Sequence, residues 1–151
     1  MPSVGFLTFH KLLDAILTLC QLMPLLLRGL ELYDTNIRAN VIDTFLAVAE
    51  GDSTEQGTIS EHASTLVSSM LKNSMVQEIS SMVRTLPVVT PTITSILFQR
   101  IRIAALRYLA ILPSIVRYDV LHPYKSTVIR ELVKVLDDPK RAVRKEAVDA
   151  R

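Results

Sequence analysis

Three stretches of this 151-residue chain open in the same way. They are Asp34-Thr-Asn-Ile37-Arg38-Ala-Asn-Val41, Gln99-Arg-Ile101-Arg102-Ile-Ala-Ala105-Leu106 and Asp138-Pro-Lys-Arg-Ala-Val143-Arg144-Lys-Glu-Ala147-Val148. Each sets a β-branched apolar residue before an arginine, with another apolar residue three or four positions on. That spacing is helical. The first and last follow an Asp-containing turn and a Leu-rich helix. A helix–turn–helix unit recurring at about 40–47 residues constrains the fold strongly. One helical pair cannot bury its apolar face alone, whereas stacked pairs share a continuous core.

The reading is therefore an all-α chain, a HEAT-type α-solenoid of about three helical-hairpin repeats forming a single domain over 1–151. The apolar share of 49% is ample for a core and excludes wholesale disorder. Four glycines, no tryptophan and little period-two alternation argue against a β-sandwich or barrel.

The helices are read as follows. One covers about 12–32, with Leu22, Leu25, Leu26, Leu30 and Leu32 near one face and Pro24 kinking or restarting it. Asp34 caps the next, which carries Ile37, Val41, Phe45, Leu46 and Val48 and ends near Gly51. A polar loop over 51–58 precedes a third, with Ile59, Ala63, Leu66, Val67, Met70 and Leu71 in register. A fourth stretch carries Met75, Ile79, Met82 and Leu86, the methionines serving as core filler. Residues 87–95, with two prolines and a β-branched run, fit no helix. Ile101, Ala105, Tyr108, Leu109 and Leu112 then line a helix closed by Pro113. His122-Pro123 opens the next, lined by Tyr124, Val128, Leu132 and Leu136. Asp138 suits the cap of the last helix and Pro139 its first position.

The repeat spacing is uneven: 64 residues separate Arg38 from Arg102, but only 42 separate Arg102 from Arg144. Removing Val83 to Gln99 restores a compact unit. This irregular insertion, 83–99, is read either as a functional loop or as a retained intron. Valine codons begin with GT, and Phe-Gln can be encoded by TTTCAG, so both edges permit splice boundaries. A mature transcript that keeps codons 83–99 excludes the intron.

In the repeat, Arg38, Arg102 and Arg144 can reach the turn carboxylates, Asp34 and Asp138, of their own or the adjacent unit. These five residues form a structural ladder. The formal net charge is only +2, but it is unevenly placed. Residues 1–99 hold 5 Lys/Arg against 9 Asp/Glu, and residues 100–151 hold 12 against 6. Lys140, Arg141 and Lys145, around the start of the last helix, are the candidate partner-binding residues.

Catalytic and metal motifs are missing from the sequence. His10, His62 and His122 share no ligand-like spacing, and no phosphate loop, nucleophile elbow or His-Glu zinc motif occurs. Cys20 stands alone in a Leu-rich helix, which excludes a four-thiolate site within one chain and reads as a buried free thiol. The expectation is a non-catalytic protein with no metal, cofactor or small-molecule substrate. The 13 uncharged residues 15–27 are too few for a membrane span, and no signal peptide is recognisable. A competing class is nucleic-acid binding through a stripe of Arg100, Arg102, Arg107, Lys140, Arg141, Arg144 and Lys145. Aromatic stacking partners are scarce, so direct nucleic-acid contact is disfavoured.

The run Arg102-Ile-Ala-Ala-Leu106, Leu121-His-Pro-Tyr-Lys125, Val128-Ile-Arg130, Leu136-Asp-Asp138 and Val143-Arg-Lys-Glu-Ala-Val148 carries a resemblance. It resembles the C-terminal HEAT domain of the MMS-nineteen nucleotide excision repair protein family. Leu22-Met-Pro-Leu-Leu-Leu-Arg-Gly-Leu30 resembles an upstream repeat of the same domain. The resemblance implies a scaffold for cytosolic iron–sulfur protein assembly, in the cytoplasm and nucleus. Its implied partners are the other subunits of the targeting complex and apo iron–sulfur client proteins of DNA metabolism. A generic HEAT-repeat adaptor of another pathway is the alternative.

Overall fold

The computed structural model describes residues 20–32, 34–51, 56–76 and 91–151. Every element among them is helical. In chain order they are α1 (20–29), α2 (Thr35–Glu50), α3 (Gln56–Glu61), α4 (Ala63–Ser74), α5 (Pro91–Ile115), α6 (Tyr118–Val135) and α7 (Arg141–Asp149).

Their contacts make two layers. Helix α5 packs against α2 on one side and α7 on the other, while α4 packs against α6. Contacts within hairpins join α4 to α5 and α6 to α7. Helix α1 approaches α2 at Gly29, where a Cβ would lie 2.8 Å from Val41 Cγ2. Glycine is what permits that approach, because the β-branched Val41 has little rotamer freedom with which to yield. The result is an all-α helical-repeat solenoid: α1–α2, α4–α5 and α6–α7 stack as hairpins, with α5 at the centre.

The core is continuous across the stack. Ala39, Ile42 and Phe45 from α2 meet Ile101, Ala105 and Tyr108 from α5, and Val143 and Ala147 from α7 extend the same interior. Ala39, Ala105 and Ala147 are fully buried, and such small side chains let the α2, α5 and α7 axes approach. Phe45 and Tyr108 meet edge to face at 5.9 Å. The buried Tyr108 hydroxyl has no hydrogen-bond partner among the described residues, and burial pushes its ionisation above the usual phenol range. An orphaned buried hydroxyl costs about 1–3 kcal/mol. Tyr108→Phe is therefore expected to raise stability by about 1 kcal/mol in urea denaturation. A comparable loss instead would mean that the hydroxyl has a partner.

Asp34 caps α2, its carboxylate accepting from Asn36 N at 2.8 Å and Ile37 N at 3.1 Å. Ile59, Ala63, Leu66, Val67, Met70 and Leu71 are all buried, and Met75 packs partly buried against them. Ile101, Ala105, Tyr108, Leu109 and Leu112 are buried along α5.

Other boundaries and faces differ from the sequence reading. In α1 the inward residues are Met23 and Leu30, flanked by the half-buried Leu26 and Leu27; Leu22, Leu25 and Leu32 are exposed. Leucines around the whole helix leave the face to be chosen by the Gly29 approach. The start of this helix toward Leu12 lies outside the described residues. Cys20 is exposed, not buried. Cys20 opens α1 about 13 Å back along the helix from the close approach at Gly29. Along α2 the buried side chains are Ala39, Ile42, Phe45 and Ala49, and Ile37 is exposed. The polar loop is shorter than 51–58, since α3 begins at Gln56.

Residues 91–99 are helical rather than irregular, the opening turns of α5. Pro91 takes the first helical position, where a missing amide is harmless. The remainder of 83–99, and Ile79, Met82 and Leu86, lie outside the described residues. Pro113 does not close α5, which continues to Ile115. It forfeits one bond to the Leu109 carbonyl, and the helix resumes with Val116 N donating to Leu112 O at 2.9 Å. Helix α6 begins at Tyr118 rather than at His122-Pro123. Asp119 in its first turn complements the positive helix end, so Pro123 falls one turn inside. The cap of α7 is Lys140, two residues beyond Asp138.

Candidate protein-docking site

The turn between α6 and α7 is held from both sides. Asp138 Oδ1 accepts from Lys140 N at 2.8 Å, an Asx turn that aims the chain into α7. Asp138 Oδ2 lies 3.0 Å from Arg102 Nε on α5, and these side chains are only 11% and 8% exposed. Arg102 also donates to the Val76 carbonyl at 3.0 Å. Arg144, one turn into α7, donates back to the Asp138 carbonyl at 2.6 Å. The second and third hairpins are thus tied together at one buried polar node.

The first hairpin repeats half of this device. Arg38 Nε donates to the Leu32 carbonyl at 2.9 Å, six residues back, as Arg144 does to Asp138. Burial pulls the Arg38 guanidinium below its ordinary pKa, although arginine stays charged. Of the five ladder residues, the structure brings Arg102, Asp138 and Arg144 together. Asp34 and Arg38 form a separate cap and clasp at the other end of the stack. Val76 is the member that sequence reasoning missed, because a backbone acceptor leaves no signature in side-chain spacing.

Next to this fixed turn stand the candidate contacts. Lys140, Arg141 and Lys145 are all exposed. Lys145 lies 4.0 Å from Asp149, a loose surface pair. Lys140 and Arg141 make no ion pair among the described residues. The other cations of the basic half are largely matched. Arg100 pairs with Asp43, Arg107 with Glu146 at 3.2 Å and Arg117 with Asp119 at 3.0 Å. Lys134 meets Glu131 at 2.6 Å, and that hydrogen bond, with nearby Arg130, holds the Glu131 carboxyl below its usual range. The stripe of seven cations considered for nucleic acid is therefore broken: Arg100, Arg102 and Arg107 face carboxylates and Arg144 faces a carbonyl. What remains of that stripe, among the described residues, is a compact cationic knob at the start of α7; Lys125, outside the stripe on α6, is also without an ion pair among the described residues. No described helix is long and apolar enough to cross a membrane.

Comparison with known proteins supplies the family. A family profile described as RNAPII transcription regulator C-terminal, the MMS19 C-terminal family, matches residues 15–113. The chain belongs to the MMS19 C-terminal family. Among curated relatives, the MMS19 DNA repair/transcription protein of Saccharomyces cerevisiae is 28% identical over 130 residues. That alignment takes in 86% of this chain and 11% of the yeast protein. The MMS19 nucleotide excision repair protein homolog of Mus musculus is 59% identical over 51 residues, 34% of this chain and 5% of that protein. The Homo sapiens homolog is 57% identical over 51 residues, again 34% of this chain and 5% of that protein. The chain thus spans a small part of the length of the MMS19 relatives it matches.

Proposed function

We propose that this chain is a non-catalytic docking module of a HEAT-type scaffold, acting as the adaptor of the cytosolic iron–sulfur protein assembly targeting complex. Its partners are the protein subunits of that complex and the apo-proteins of DNA metabolism that receive clusters, and its place of action is the cytoplasm and nucleus. Membership of a family whose members are named for DNA repair and transcription supports this reading. The observation that carries it is the cationic knob of Lys140 and Arg141, without a carboxylate partner among the described residues and mounted on a turn fixed by Asp138. A surface already rigid before binding loses little entropy when a partner arrives. The neutralisation of the neighbouring arginines favours an acidic protein patch over an extended polyanion.

The test is affinity capture by the full-length gene product. Reversing Lys140, Arg141 and Lys145 to glutamate is expected to weaken capture of assembly subunits about tenfold, with helicity unchanged in circular dichroism. Unchanged capture overturns the assignment of these residues. Binding to DNA that falls steeply with salt and is lost in the same variant would instead support the nucleic-acid alternative.

A further inference from the structure

Helices α4, α5 and α6, together with Ala150 and Arg151 just after α7, enclose a largely apolar groove of about 270 Å³. Its floor includes Val67, Leu109 and Leu112, all buried. Its rim carries Tyr118, 66% exposed, with the His122 ring 5.2 Å away, and Lys125 one turn along α6. No aspartate or glutamate side chain among the described residues lines it. Lys125 has no carboxylate partner among the described residues, and the nearby Asp119 is already engaged by Arg117.

We propose that this groove docks a short acidic peptide segment that inserts one bulky apolar side chain. The proposal rests on the reading of the chain as a docking module and names a second kind of contact on it. The volume falls below the roughly 300–1,000 Å³ typical of small-molecule sites, and suits a single anchoring side chain. An exposed tyrosine beside an apolar hole is the kind of residue that dominates protein contacts. The unmatched Lys125 sets the sign: a carboxylate next to the anchor is attracted, and a lysine there is repelled.

The test is selection of random twelve-residue displayed peptides on the purified chain, run beside Tyr118→Ala and Lys125→Glu. Both side chains are exposed, so the substitutions leave the core intact, and circular dichroism checks this. The expected enrichment is for an Asp or Glu close to a bulky apolar residue. The selected peptides should bind each variant about tenfold more weakly, and Lys125→Glu should shift its own selection toward basic peptides. No enrichment, enrichment without acidic bias, or equal binding to both variants and the parent chain overturns the proposal. So does concentration-dependent self-association that both variants abolish, which would make the occupant a second copy of this chain. Failure here with capture still dependent on Lys140, Arg141 and Lys145 leaves the docking reading standing; loss of that dependence with groove binding intact removes only the cationic knob.

Discussion

Asp138→Ala is expected to destabilise the chain by about 3–5 kcal/mol, the cost of stranding a buried charge. Arg102 would keep its guanidinium 8% exposed with only the Val76 carbonyl as a described acceptor. Arg102→Met is expected to cost a similar amount, because it leaves the Asp138 carboxylate almost as deeply buried. Domains of this size are typically stable by about 5–15 kcal/mol, so either change consumes much of the margin. The double variant Arg102→Met, Asp138→Leu separates the charge effect from the packing. Replacing a buried pair by apolar groups of similar volume is often near neutral, and what remains is the lost Asx bond to Lys140 N, about 1 kcal/mol. Urea midpoints for the four proteins check this. Single-variant losses below about 1 kcal/mol would place the pair among ordinary surface bridges.

The same node shows where sequence reasoning reaches and where it stops. The repeated arginine, and the acidic turn it could meet, were legible from spacing alone. Which of the possible acceptors each arginine takes is a tertiary fact. Arg102 crosses to the turn of the next hairpin, whereas Arg38 and Arg144 clasp carbonyls six residues behind them. Helix faces were legible where apolar residues alternate with serine, threonine and lysine, as from Ile59 to Leu71. They were not legible in α1, where leucine surrounds the axis and the Gly29–Val41 approach selects Met23 and Leu30 for the interior. Prolines misled in one consistent way. Pro113 and Pro123 each remove one backbone bond, but packing on both sides of α5 and against α4 holds the helices through them. At the docking site, exposure of Lys140, Arg141 and Lys145 was readable from their helix-start positions. The pairing of the other cations was not, since partners such as Asp43 and Arg100 stand 57 residues apart. The groove left no mark in the sequence because three helices and the residues just after α7 build it together.

Phe45→Ala is expected to cost about 3–5 kcal/mol, because the side chain is fully buried and its removal leaves a cavity against Tyr108. Its location determines how the loss spreads. Phe45 lies on α2 and Tyr108 on α5, so the cavity opens at the seam between the first and second hairpins. In a stack where each unit contacts only its neighbours, seam energies add along one dimension. Weakening this seam should release α1 and α2 while α6 and α7 stay docked through the Asp138 node. Hydrogen exchange read by mass spectrometry should then show protection falling first over residues 35–50 and last over 141–149. Asp138→Ala should give the reverse order, with α6 and α7 released first. Both variants losing protection uniformly along the chain would mean that α5, in contact with α2, α4 and α7 alike, couples the hairpins into a single cooperative unit.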